Sequence, residues 1–116
     1  MLTKFGKLCK KIRVDNNQVL YDMAKVLNVK PSFLSAVENG KKNVPETWCD
    51  IIQKEYGLSN DEYENLVVAK EVSKTQMKLN LVDCAEDDRE LAFSFARTFE
   101  GLSSEQKEKI FEILNQ

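Results

Sequence analysis

The chain has no histidine among its 116 residues. That removes the commonest general base and the usual nitrogen ligand of zinc sites. The three cysteines, Cys9, Cys49 and Cys84, are odd in number and widely separated, so they read as small buried thiols in a reducing compartment rather than a disulfide framework. No glycine-rich phosphate loop is present, and no serine or cysteine stands beside an evident activating base. No apolar run approaches the roughly 18 residues of a membrane helix. The opening MLTKFGKLCKK is amphipathic rather than signal-like. These absences point away from an enzyme, a metal or cofactor site and a membrane protein, and towards the cytoplasm.

What is present is an uneven distribution of charge. From Met1 to Pro45 eight lysines and one arginine face only Asp15, Asp22 and Glu38, a net charge of +6. From Glu46 to Gln116 eight basic residues face sixteen acids, a net charge of -8. A pI near 5.3 would argue against a polyanionic partner if the charges were mixed. Segregated, they make a basic lobe and an acidic one. The acidic run Glu86, Asp87, Asp88 falls in the first turn of an expected helix, where the helix dipole accounts for it.

Hydrophobic spacing is helical almost throughout. Phe5, Leu8, Cys9 and Ile12 form one i, i+3, i+4, i+7 set, ended by Asp15, Asn16 and Asn17, and Leu20, Met23, Ala24 and Leu27 form a second, running to Asn28. Asn28 tolerates the left-handed conformation that a tight turn demands. Pro31 opens a third helix to about Asn39, with Gly40 as its stop. A fourth is expected from Pro45 to Tyr56, burying Trp48, Ile51 and Ile52 and ending at Gly57. Ser59 and Glu62 have capping-box spacing, and Leu58 and Tyr63 sit at hydrophobic-staple positions, so a fifth helix follows to about Lys74. Met77 to Leu81 alternates with period two and predicts a short strand. Asp83 is the expected cap of a sixth helix carrying Leu91, Phe95 and Phe99. Gly101 breaks it, and Ser103 with Gln106 opens a seventh carrying Ile110, Phe111 and Leu114. The resulting expectation is an all-α chain: a five-helix domain over residues 1–74, then a short strand and two helices over 75–116.

The stretch SFLSAVENGKK, residues 32–42, is unusual for a helix built only to pack. It gathers serine, asparagine and glycine while keeping Leu34 and Val37 as its spaced apolar pair. The second and third helices, joined at Asn28-Val29-Lys30 and followed by Glu38-Asn39-Gly40-Lys41 and Pro45, resemble the Cro and lambda-repressor type of helix-turn-helix domain, also known as the xenobiotic response element family. Met23-Ala24, Leu27, Val29, Leu34 and Val37 fall at that family's spacings without a gap, and the similarity spans roughly Phe5 to Leu66. The resemblance implies a transcription regulator that reads double-stranded DNA.

A short exposed helix fits the major groove, which is about 12 Å wide, with its N-terminal residues at the base edges. The residues expected to meet DNA are Lys30, Pro31, Ser32, Phe33, Ser35, Ala36, Asn39, Lys41 and Lys42. Ser32 and Ser35 offer hydroxyls to bases or phosphates, Ala36 admits close approach and can touch a thymine methyl, and Phe33 can stack on sugars or methyls. Lys41 and Lys42 are placed for phosphates, which give affinity while base contacts give specificity. At Leu20 the family commonly carries a phosphate-holding glutamine, and leucine offers no such bond. Short side chains at Pro31, Ser32 and Ala36 imply modest direct readout and some dependence on DNA shape.

The absence of an effector or catalytic segment favours repression by occupancy, in a phage, mobile element or small bacterial operon. An inverted-repeat operator and a homodimer are expected, because one such domain reads few bases. An isolated strand needs a partner. That can be the same strand of a second copy, with Phe93, Phe95, Phe99 and Phe111 packed around it, or the last helices can fold back on the fifth. The competing expectation is an antitoxin or other interaction module, whose acidic C-terminal half binds a basic toxin or similar partner.

Overall fold

The computed structural model describes all 116 residues and is entirely helical, with seven α-helices, one short 3-10 turn and no strand. None of the helices is long and apolar enough to cross a membrane. The chain divides into two compact units, Met1–Met77 and Lys78–Gln116.

The first unit holds α1 (Lys4–Asp15), α2 (Leu20–Val26), α3 (Pro31–Glu38), α4 (Trp48–Tyr56) and α5 (Asn60–Val72). Helical spacing turns one stripe of each inward. Phe5 and Cys9 of α1, Met23 and Ala24 of α2, Leu34 and Val37 of α3, Trp48, Cys49 and Ile52 of α4, and Leu66 and Ala69 of α5 form one buried cluster. Burying each large side chain of this set contributes about 1.5–3 kcal/mol. Trp48 lies at the middle, its ring centroid 6.4 Å from that of Phe5. The fourth helix starts at Trp48 rather than at Pro45, because Pro45 to Thr47 form a turn whose first carbonyl accepts the Trp48 N–H.

Four of these helices stop in the same way. Asn17, Asn28, Gly40 and Gly57 carry positive φ angles of 55°, 56°, 77° and 62°. One residue further on, the amides of Gln18, Val29, Lys41 and Leu58 reach back to the carbonyls of Arg13, Ala24, Ala36 and Gln53. This six-to-one bond satisfies a carbonyl that the helix end would otherwise leave open, and it requires a residue that accepts the left-handed region. Helix starts are equally legible. Ser59 and Glu62 exchange bonds of 3.1 and 2.9 Å as a capping box, and Ser103 and Gln106 do the same in the second unit.

A feature that hydrophobic spacing does not announce holds α1 to α3. Arg13 and Glu38, both buried, form a two-pronged ion pair with bonds of 2.5 and 3.0 Å. At the other end of α1, the Thr3 amide and hydroxyl both donate to the Glu38 carbonyl, at 2.9 and 3.1 Å. Gly6 makes the approach possible, since a Cβ there would stand 2.3 Å from that same carbonyl oxygen. After α3 the chain is tied again: Lys70 of α5, its side chain largely covered, bonds Glu46 at 3.0 Å and holds that carboxyl below the usual carboxylate range.

The thiols divide by burial. Cys9 and Cys49 lie in the core, where burial raises the pKa of both thiols and that of Cys9 most, whereas Cys84 in the second unit is half-exposed. A thiolate-selective reagent is therefore expected to modify one cysteine per folded chain, Cys84, and the other two only on unfolding. Mass spectrometry of labelled peptides checks this; fast labelling of Cys9 would contradict the packing of α1.

The second unit comprises α6 (Glu86–Thr98), the 3-10 turn Phe99–Gly101 and α7 (Ser104–Leu114). The expected strand at Met77–Leu81 is absent. Period-two alternation makes a strand only where a neighbouring strand takes up its amides and carbonyls, and this chain provides none. Asn80 instead turns the backbone, its side-chain oxygen accepting the Val82 N–H at 3.1 Å. Arg89 clamps that turn by donating to the carbonyls of Leu81 and Val82, at 3.2 and 3.0 Å. The sixth helix is preceded by Ala85 rather than capped by Asp83, with Asp88 reaching back to accept the Ala85 N–H.

Candidate nucleic-acid interface

Helix α3 packs its Leu34, Val37 and Glu38 edge against α1 and α2. Its other side carries Ser32, exposed, with Ser35 and Ala36 half-buried beside it. The expected outward residues thus lie away from the Leu34 and Val37 edge, and all three are short. At the start of α3, Lys30 is extended (φ -71°, ψ 144°), as a residue before proline must be, and supplies no side-chain cap. Pro31 brings no N–H. The helix therefore begins with an exposed lysine and an uncapped positive dipole end, a combination that favours an anion.

The opposite end of α3 carries the second basic element. Asn39 closes the helix with both its backbone and side-chain amides on the Ser35 carbonyl, so its amide group serves the cap. Gly40 turns the chain, and Lys41 and Lys42 follow exposed. A Cβ at Gly40 would stand 2.9 Å from the Thr3 methyl. The start of α1 and the end of α3 therefore meet, and Lys4, exposed next to Thr3, is carried by the segment that reaches this loop.

Phe33 is placed differently from expectation. It is half-buried, with its ring edge on Trp48 at 5.9 Å and an interplanar angle of 83°. At helical spacing, residue 33 lies on the flank of the arc set by 34 and 37, so packing on the core claims most of the ring. Leu20 likewise packs against the core and offers nothing polar.

The structure also brings forward residues that spacing alone did not single out. An open notch at the junction of α2 and α3 is lined by Tyr21, Lys25, Asn28 and Lys30 among others. Lys25 and Lys30 give it two cations, and the Lys25 ammonium lies 5.8 Å from the centre of the exposed Tyr21 ring. Lysines five positions apart signal nothing in the linear sequence when a turn intervenes; the left-handed Asn28 is what brings α3 back beside α2. The Arg13–Glu38 pair is a second such case, acting on the site by fixing α3 against α1.

No protein-family model matches this chain, and no significant match is found among curated proteins or solved structures.

Proposed function

We propose that the chain is a sequence-specific double-stranded DNA-binding regulator, in which α2 and α3 act as a helix-turn-helix of the Cro and lambda-repressor type and α3 is the reading helix. The observation that carries this reading is the construction of α3. One edge is locked into the core, the outer face has only small polar or methyl side chains, and exposed lysines stand at both ends. Such a face lets a backbone approach base edges, with Lys30 at one end and Lys41 and Lys42 at the other for the phosphates. Lys25 and Lys4 extend the same basic rim. The absence of long amides on α3 implies readout by few direct bonds, supplemented by DNA shape. Occupancy of an operator is the mode of regulation that this arrangement serves.

Salt dependence tests the electrostatic half of the reading. Each phosphate contact releases counterions, adding about -0.9 to the slope of log affinity against log salt. Replacing Lys41 and Lys42 with alanine in the full chain is expected to flatten that slope by about one to two units and to weaken all duplexes alike. Fluorescence anisotropy with labelled duplexes measures it. An unchanged slope would remove both lysines from the interface.

A further inference from the structure

We propose that Lys4, Lys7 and Lys10 of α1 form a second phosphate-binding surface, which takes the sugar-phosphate backbone of the same duplex just beyond the stretch met by α3. The inference rests on the DNA-binding reading and extends it to a helix outside the helix-turn-helix. Between Lys4 and Lys10 the only exposed residues are these three lysines, since Phe5, Gly6 and Cys9 are buried and Leu8 is half-buried. Their i, i+3, i+6 spacing winds along the side of α1 away from Phe5 and Cys9.

Three observations point outward to an anion. The first is placement against local preference. Lys4 and Lys7 stand in the first turn of α1, where the helix dipole favours acids, and that turn contains none. Lysines three positions apart also repel one another. The second is the lack of partners. The chain's ion pairs engage Arg13, Lys70, Lys74 and Lys109, and none reaches Lys4, Lys7 or Lys10. Lys11, by contrast, borders a cleft with Asp15 and Glu62 on the α5 side and is left out of the surface.

The third is continuity with the proposed interface. Thr3, next to Lys4, donates to the Glu38 carbonyl, and its methyl borders Gly40, directly before Lys41 and Lys42. Lys10 stands one turn on from Gly6, the residue pressed against that same carbonyl. The surface thus starts at the Lys41–Lys42 loop and follows the seam between α1 and α3 for about 9 Å, the axial rise of two to three phosphates on one strand. A row of cations without apolar residues fits a phosphate backbone, whereas a protein partner would find no apolar side chain there on which to build an interface core.

Amine labelling of the full chain, read by mass spectrometry with and without a duplex from the DNA upstream of its own coding sequence, tests this. Bound DNA is expected to slow labelling of Lys7 and Lys10 severalfold, together with Lys41 and Lys42, and to leave the exposed Lys54 of α4 unchanged. The full chain carrying Lys7→Gln and Lys10→Gln should show a salt slope flatter by about two units, while Lys7→Arg with Lys10→Arg keeps the slope, because charge makes the contact. Protection of Lys41 and Lys42 with Lys7 and Lys10 labelled at the free rate would overturn the proposal and leave the DNA-binding reading standing. So would a slope unmoved by the glutamines, or flattened equally by the arginines. Protection of none of these lysines would overturn both.

Discussion

Replacing Glu38 with alanine is expected to lower the unfolding free energy by about 3–5 kcal/mol, because it strands the Arg13 guanidinium in a buried site without its partner. Arg13→Ala should cost a similar amount for the mirrored reason. The diagnostic result is the pair changed together. Arg13→Met with Glu38→Leu removes both charges while keeping volume, and should recover most of the loss, since a buried ion pair is often no more stabilising than a well-packed apolar pair. Trp48 is the sole tryptophan and is buried in the same core, so its fluorescence in urea reports each transition. Single changes costing less than about 1 kcal/mol, typical of an exposed pair, would contradict the buried geometry. The effect should also reach DNA binding. Glu38 ends α3, and its carbonyl is the acceptor for Thr3, so loosening it frees α3, the proposed reading helix, relative to α1.

The second large effect concerns the face of α3. Ser32→Glu places a carboxylate on an exposed position whose side chain makes no hydrogen bond within the chain, where the proposed interface meets phosphates and base acceptors. Like charges set together across an interface cost several kcal/mol, so affinity for duplex DNA should fall at least about 100-fold while the thermal midpoint stays where it was. Ser32→Gln supplies the control. It is long but neutral, and should retain binding while changing which bases are preferred, as a selection from random duplexes would reveal. Full affinity in Ser32→Glu would move the interface off this helix.

The helix ends were the most legible part of the fold. Asn28, Gly40 and Gly57 each announce a left-handed stop, and Ser59 with Glu62 announces a start, because these are local devices in which a residue and its partner lie within a few positions. The inward stripes were legible for the same reason. Arg13 and Glu38 were not: they belong to different helices, and Glu38 stands out in the sequence only as part of the Glu-Asn-Gly-Lys run. Gly6 was equally silent, since its meaning is a carbonyl brought to it by another helix. The alternation at Met77 to Leu81 predicted a strand because period two describes one chain, while a strand is made by two. There the local preference of Asn80 for a turn prevailed. Phe33 shows the limit at the candidate site itself. Its spacing puts it on the border between the buried and open arcs of α3, and contact with Trp48, fifteen positions away, decides the matter.

The most direct measurement is the affinity of the full chain for the DNA upstream of its own coding sequence, beside a scrambled duplex of equal length and composition, at one fixed near-physiological salt concentration. The account predicts that the upstream duplex binds about a thousandfold or more tightly than the scrambled one, through an inverted repeat with half-site centres about 10 bp apart. Equal affinity for the two duplexes, or no binding to either, would contradict it.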